Sequence, residues 1–177
     1  DPCDADDVAG MVPAMMKHDG PVYARLLRGK VPSVLTRHKP DYTFQLGRAQ
    51  MIREGRDVLV VSSGIMTMRA LDAAEKLAAD NVDVGVLHVP TIKPLDVDTI
   101  VAEAGKSGRL VVTAENHSVN GGLGEAVARQ LLMAGVAPRF RMIGLPDEFL
   151  EAGALPTLHG MYGLSVDAVA TQIKGWL

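Results

Sequence analysis

The chain has 177 residues, 47% hydrophobic and 22% charged, with a formal net charge of -3 and one cysteine, Cys3. That supplies one ordinary core with room for an appendage, and the interspersed charges, with no basic block, argue against nucleic acid or an anionic membrane as partner. A lone cysteine excludes an internal disulfide framework and a cysteine-based zinc site, and fits a reducing compartment. No stretch is long and apolar enough to span a bilayer, and no basic region followed by an apolar core opens the chain, so the expected location is cytoplasmic. Few aromatics among many Ala, Val and Leu suit a parallel α/β protein better than a β-sandwich.

In chain order, Asp4 is a good N-cap for a helix over roughly 5 to 18, with Asp6 and Asp7 in its first turn and Pro13 expected to kink or shorten it. Pro21 to Leu27 reads as a strand. One helix and one strand cannot bury a core alone, so this piece is expected to belong to a domain whose other parts lie elsewhere. From Arg28 to Asp41 the chain turns basic, polar and proline-containing, as a linker would. Residues 48–53 and 57–62 read as strands about a tight turn at Glu54-Gly55, the first antiparallel to the second.

A helix follows from Met66 to Ala79, with Ala70, Leu71, Ala74 and Leu77 on one face. Next come a strand at 83–89, a short helix from Lys93-Pro94-Leu95-Asp96 to Ala104, a strand at 109–114, a helix at 123–134, a strand at 139–144, an irregular Gly/Pro-rich stretch and a helix at 165–176. Strands separated by helices imply parallel neighbours and right-handed crossovers. The expected fold class is α/β: three layers, α/β/α, around a mostly parallel sheet of about five strands with one antiparallel edge strand.

The corner after the 109–114 strand holds the richest local chemistry. Gly121, Gly122 and Gly124 precede a helix, where backbone N–H groups can approach an anion, but the spacing is not the dinucleotide fingerprint. The plainer reading is a tight turn that lets the helix pack closely. Glu115 and His117 stand at a strand end, where general acid/base groups of open sheets lie, yet such residues often only cap a loop. The other histidines show no metal-ligand spacing. Arg25 and Arg28 can bind a phosphate across a cleft, or be surface arginines beside a linker.

Taken together and in order, several motifs resemble the C-terminal part of the transketolase family of thiamine diphosphate enzymes. They are Asp19-Gly20-Pro21-Val22-Tyr23 with Arg25 and Arg28; Gly47-Arg48-Ala49; Arg53-Glu54-Gly55 with Asp57-Val58; Ala70 to Leu77; Lys93-Pro94-Leu95-Asp96; Glu115-Asn116-His117; Gly121-Gly122-Leu123-Gly124; and Tyr162-Gly163-Leu164. The resemblance implies that residues 1–37 are the end of a pyrimidine-binding domain and the start of a linker, 38–41 the linker, and 42–177 the family's C-terminal domain. The family's diphosphate-and-metal motif and the segment with its activating glutamate have no counterpart here. The chain is thus expected to be part of a longer protein, inactive alone, with a structural, dimer-supporting or regulatory role.

By the same resemblance the parent enzyme transfers a two-carbon ketol unit between sugar phosphates with thiamine diphosphate and magnesium, neither expected to be held by this chain. Arg28 matches an arginine that contacts the substrate phosphate, with Arg25 a second candidate; no residue here is expected to be catalytic or to bind metal. Glu115, His117, Gly121, Gly122 and Gly124 form a possible loop site. Expected partners are the rest of the enzyme, a second copy in a homodimer and a sugar phosphate. Where 1-deoxyxylulose-5-phosphate synthases place a second phosphate-binding arginine, this chain has Pro90, which counts against that activity. The C-terminal domain of a 2-oxo acid dehydrogenase beta subunit or of a 1-deoxyxylulose-5-phosphate synthase, and a non-catalytic small-anion-binding or interaction module, remain alternatives.

Overall fold

The computed structural model describes residues 1–29, 31–106 and 108–177; Lys30, inside the expected linker, and Ser107 lie outside the described residues. Helix α1 spans Ala5–Lys17 and α2 Leu35–His38, followed by strands β1 Gln50–Arg53 and β2 Val58–Ser62. Then come α3 Ile65–Ala78, β3 Val84–His88, α4 Val97–Ala104, β4 Leu110–Ser118, α5 Leu123–Met133, β5 Arg139–Leu145, α6 Leu155–Met161 and α7 Val166–Trp176. Among the described residues no helix is long and apolar enough to cross a membrane.

The five strands form one sheet in the order β1-β3-β2-β4-β5. The pairs β2/β3, β2/β4 and β4/β5 are parallel, and β1 pairs antiparallel with β3 at the edge. The mostly parallel sheet and its antiparallel edge strand thus match expectation. The tight hairpin at Glu54-Gly55 does not form. Every residue of β2 is buried, and β2 takes parallel neighbours on both sides, so β1 cannot pair with it and lies instead along the outer edge of β3. The connection must then pass the start of β3 at close range, and a Cβ on Gly55 would lie 1.9 Å from the Gly85 nitrogen.

The period of two along β2 sorts the core into two layers. Val58 and Val60 face a cluster with Leu71, Ala74, Val169 and Ile173, from α3 and α7. Leu59 and Val61 face Ile100, Leu123, Val127 and Leu131, from α4 and α5. Each fully buried aliphatic side chain contributes about 1.5–3 kcal/mol relative to exposure, so this central strand is a large share of the fold's stability.

Helix α1 begins at Asp4, as its cap and first-turn acids predict, and runs through Pro13 to Lys17. No strand forms over 21–27. No neighbouring strand lies beside it to complete a ladder, and Tyr23 and Leu26 are 88% and 58% exposed. Two short helices occur where none is expected, α2 in the linker region and α6 in the Gly/Pro-rich stretch. Cys3, Val34, Leu35 and Tyr42 join the α3/α7 core layer, so the segment before β1 packs against the sheet.

Candidate functional site at the carboxyl ends of β2 and β4

Helix α3, which follows β2, covers one face of the sheet, while α5, which follows β4, covers the other. The carboxyl ends of these neighbouring strands are the usual ligand position in open α/β sheets. Ser63 and Gly64 follow β2, Glu115 and Asn116 lie on β4 before the loop to Gly122, and Asp1, which holds Arg25, bonds to Ser63 from the N-terminal segment.

Glu115 is 97% buried, and both of its oxygens are engaged by the start of α5. The Leu123 amide donates to Oε2 at 2.7 Å and the Gly124 amide to Oε1 at 2.8 Å. Burial pushes its carboxyl above the ordinary range, and the two amides only partly offset that. The glycines serve this arrangement in separate ways. A Cβ on Gly122 would lie 2.0 Å from Glu115 Oε2, one on Gly124 would lie 2.5 Å from Met142 Sδ, and Gly121 adopts φ +75°. Anion-directed amides are thus present, as the glycine cluster suggests, but the protein's own carboxylate occupies them.

His117 makes no hydrogen bond to Glu115 among the described residues, though its charge acts on that carboxyl. The β4/β5 register breaks between Ala114 and Ser118, which interrupts simple alternation, and exposed His117 places Nδ1 3.0 Å from the Ser118 carbonyl oxygen. The residue between them has the more telling contact: Asn116 Oδ1 lies 3.2 Å from Nε2 of buried His159 on α6. Burial, then the nearby Arg69 charge, hold His159 below its ordinary pKa. Sequence carried no sign of this pair, since His159 falls in the stretch read as irregular.

Arg25 is fixed rather than free. Its Nε and Nη2 donate to the two Asp1 carboxylate oxygens at 3.3 and 2.6 Å. Ser63 Oγ donates to Asp1 Oδ2 at 2.8 Å, and the Gly64 amide to the Asp1 carbonyl oxygen at 3.0 Å. Burial lowers the Arg25 pKa, partly countered by the Glu115 charge, which brings these two candidates into one electrostatic neighbourhood. Arg28, three residues on, is exposed, with no hydrogen bond or ion pair among the described residues.

Two further polar arrangements escaped sequence reading. Asp7 Oδ2 lies 2.7 Å from His88 Nε2, His88 Nδ1 lies 2.7 Å from Thr67 Oγ1, and Thr67 lies 2.9 Å from Ser62 Oγ. Tyr42 donates to Asp7 as well. All four residues of the Asp7-His88-Thr67-Ser62 chain are fully buried, which makes it a bolt between α1 and the sheet rather than a reacting centre. Burial pushes the Asp7 carboxyl up, but hydrogen bonds from His88, Tyr42 and the Cys3 amide outweigh it and hold the group below its ordinary value. In the second arrangement Asp96 caps α4 through the Thr99 amide and accepts from the Ala49 amide at 2.9 Å, tying the Gly47-Arg48-Ala49 and Lys93-Pro94-Leu95-Asp96 motifs together.

A family model described as the transketolase C-terminal domain matches residues 47–169, the sheet and most of its helices. The chain belongs to the transketolase family. A transketolase family protein of Sinorhizobium fredii is 62% identical over 100% of the chain and 51% of its own length. The 6-deoxy-6-sulfo-D-fructose transketolase subunit SqwH of a Clostridium species is 41% identical over 96% of the chain and 51% of its length. A solved structure titled split gene transketolase, inactive beta4 tetramer, superposes with a TM-score of 0.87 at 38% identity, covering 99% of this chain and 56% of the other. The chain spans about half the length of these relatives.

The residues present do not fit the family's thiamine diphosphate. The α5 amides are taken by Glu115, and the described residues contain no group of three or more His, Cys, Asp or Glu side chains arranged to hold its metal.

Proposed function

We propose that this chain is the C-terminal part of a transketolase that moves a two-carbon ketol unit between sugar phosphates. Thiamine diphosphate and magnesium are bound by the remainder of the enzyme, where the cofactor supplies the carbanion chemistry. The chain alone is inactive, and its sheet domain supports the dimer that completes the active site. Cys3, buried and the sole cysteine, suits a cytoplasmic enzyme.

The observation that carries this reading is the state of residues 21–28. They lie outside the sheet as unpaired backbone with exposed Val22, Tyr23 and Leu26, and end at exposed Arg28. Such a segment suits completion by the missing half of a pyrimidine-binding domain, which would place the Arg28 guanidinium beside a substrate anion. The Clostridium relative is named for a ketose bearing a sulfonate at carbon 6, so the anion that Arg28 meets is a phosphate or a sulfonate. The small-anion module gains no support, because Glu115 already fills the α5 N-terminus.

The test is complementation. The full-length protein, combined with the cofactor-binding half where that is a separate subunit, is assayed for ketol transfer from a ketose phosphate with thiamine diphosphate and magnesium. Turnover that requires both halves supports the proposal. A folded, cofactor-loaded assembly that turns over no sugar phosphate or sulfonate refutes it.

A further inference from the structure

We propose that Arg25 is not a phosphate ligand but a positioning residue that acts through Asp1 and Ser63 to hold Arg28 in place. This rests on the ketol-transfer reading and divides between two arginines the role that sequence assigned to both. The guanidinium of Arg25 spends Nε and Nη2 on the Asp1 carboxylate, the fork-to-carboxylate geometry that a bidentate phosphate contact would itself require. Asp1 is in turn seated at the start of α3 by the Ser63 hydroxyl and the Gly64 amide. Gly64 leaves no room for adjustment, since a Cβ there would lie 2.6 Å from Asp1 Oδ1.

The pair is only partly open to water, with side-chain exposures of 31% and 11%, so solvent competes for it less than for a surface ion pair. Arg25 thus ties the 19–29 segment across the carboxyl ends of β2 and β4. Arg28, three residues further and exposed, is the guanidinium left to meet a ligand.

Removing Asp1 separates the two roles, because it would free a ligand but strand a strut. In the assembled full-length enzyme, Arg25→Ala, Asp1→Ala and the milder Asp1→Asn each raise KM for a ketose phosphate with kcat nearly unchanged, lowering kcat/KM about ten- to a hundredfold, the scale of a misplaced binding group. Arg25→Lys, which keeps one charged hydrogen bond to Asp1, recovers part of the loss. The double variant Arg25→Ala/Arg28→Ala is no worse than Arg28→Ala alone, and the Arg25 and Asp1 variants lower kcat/KM far less for a ketose lacking the phosphate than for the ketose phosphate.

A lower or unchanged KM in the Asp1 variants, or multiplying losses in the double variant, would make Arg25 a direct ligand and overturn the proposal. Equal losses on phosphorylated and unphosphorylated ketoses would reduce the network to general stability and overturn it too. Arg28→Ala alone tests the underlying reading: if it does not discriminate between those two substrates, the phosphate-binding assignment itself falls.

Discussion

At Glu115 a buried carboxylate sits on the first turn of α5, with Gly122 so close that no side chain fits between them. Gly122→Ala should therefore destabilise the domain by about 2 kcal/mol, the usual range for overpacking, measured by urea unfolding. Asp7 allows a sharper test through pH. Its folded pKa is depressed below the ordinary value of 3.8, so it contributes stability that is fully present above that value and lost as pH falls through the folded pKa. Asp7→Asn should cost about 3 kcal/mol at neutral pH, because it breaks a buried pair. The gap between variant and wild type should narrow in unfolding experiments below pH 3.8. Glu115 carries the opposite sign. Its folded pKa is raised above 4.5, so its contribution is full below that pH and weakens as pH rises through the folded value. From the residue types alone, Glu115 and His117 about Asn116 suit acid/base chemistry, with loop capping the plainer reading. The choice depends on amides eight and nine positions along the chain.

Between elements, Asp4 does more than cap a helix. Oδ1 accepts from the Asp6 and Asp7 amides, and Oδ2 accepts from the Val34 and Leu35 amides at 2.7 and 2.9 Å. Asp4→Ala should cost about 3 kcal/mol, a lost cap plus stranded buried amides. Native-state hydrogen exchange should show α1 and α2 losing protection together, whereas a cap confined to α1 would leave α2 unchanged. Gly55 tests how β1 reaches the sheet edge. Gly55→Ala forces a carbon onto the Gly85 backbone and should release β1 amides to exchange ahead of β2. The cap of α1 was legible because it is written in four adjacent residues. The β1 partner was not, since a short turn suggests a hairpin and only the pairing of β3 and β4 with the two edges of β2 excludes it.

For the whole molecule, the unpaired segment at 21–27 and the exposed apolar side chains of Val12, Met16, Val22, Tyr23 and Leu26 form the surface that the rest of the enzyme should cover. Peroxide oxidation of Met16 should slow in the completed assembly relative to the isolated chain, as read by mass spectrometry. An unchanged rate would place the missing half elsewhere. In the same assembly, Arg28→Ala should raise KM for a ketose phosphate by about tenfold or more, the loss of one charge-assisted contact at roughly 1.5–3 kcal/mol, with little change in kcat.

Local patterns in the sequence specified the strands and helices from β2 onward except α6, the cap of α1, the antiparallel character of the edge strand and, through its ordered motifs, the family. These signals are local: periodicity, a capping side chain and a turn residue act across a few positions. Tertiary structure alone decided that β1 joins β3, that Asp7 meets His88 across 81 residues and that Ser63 meets Asp1 across 62. It also decided that Glu115 fills the amides its glycine loop offers. Each of these contacts depends on which sheet edges and buried polar groups remain unpaired once the central strands have paired, and no local pattern records that.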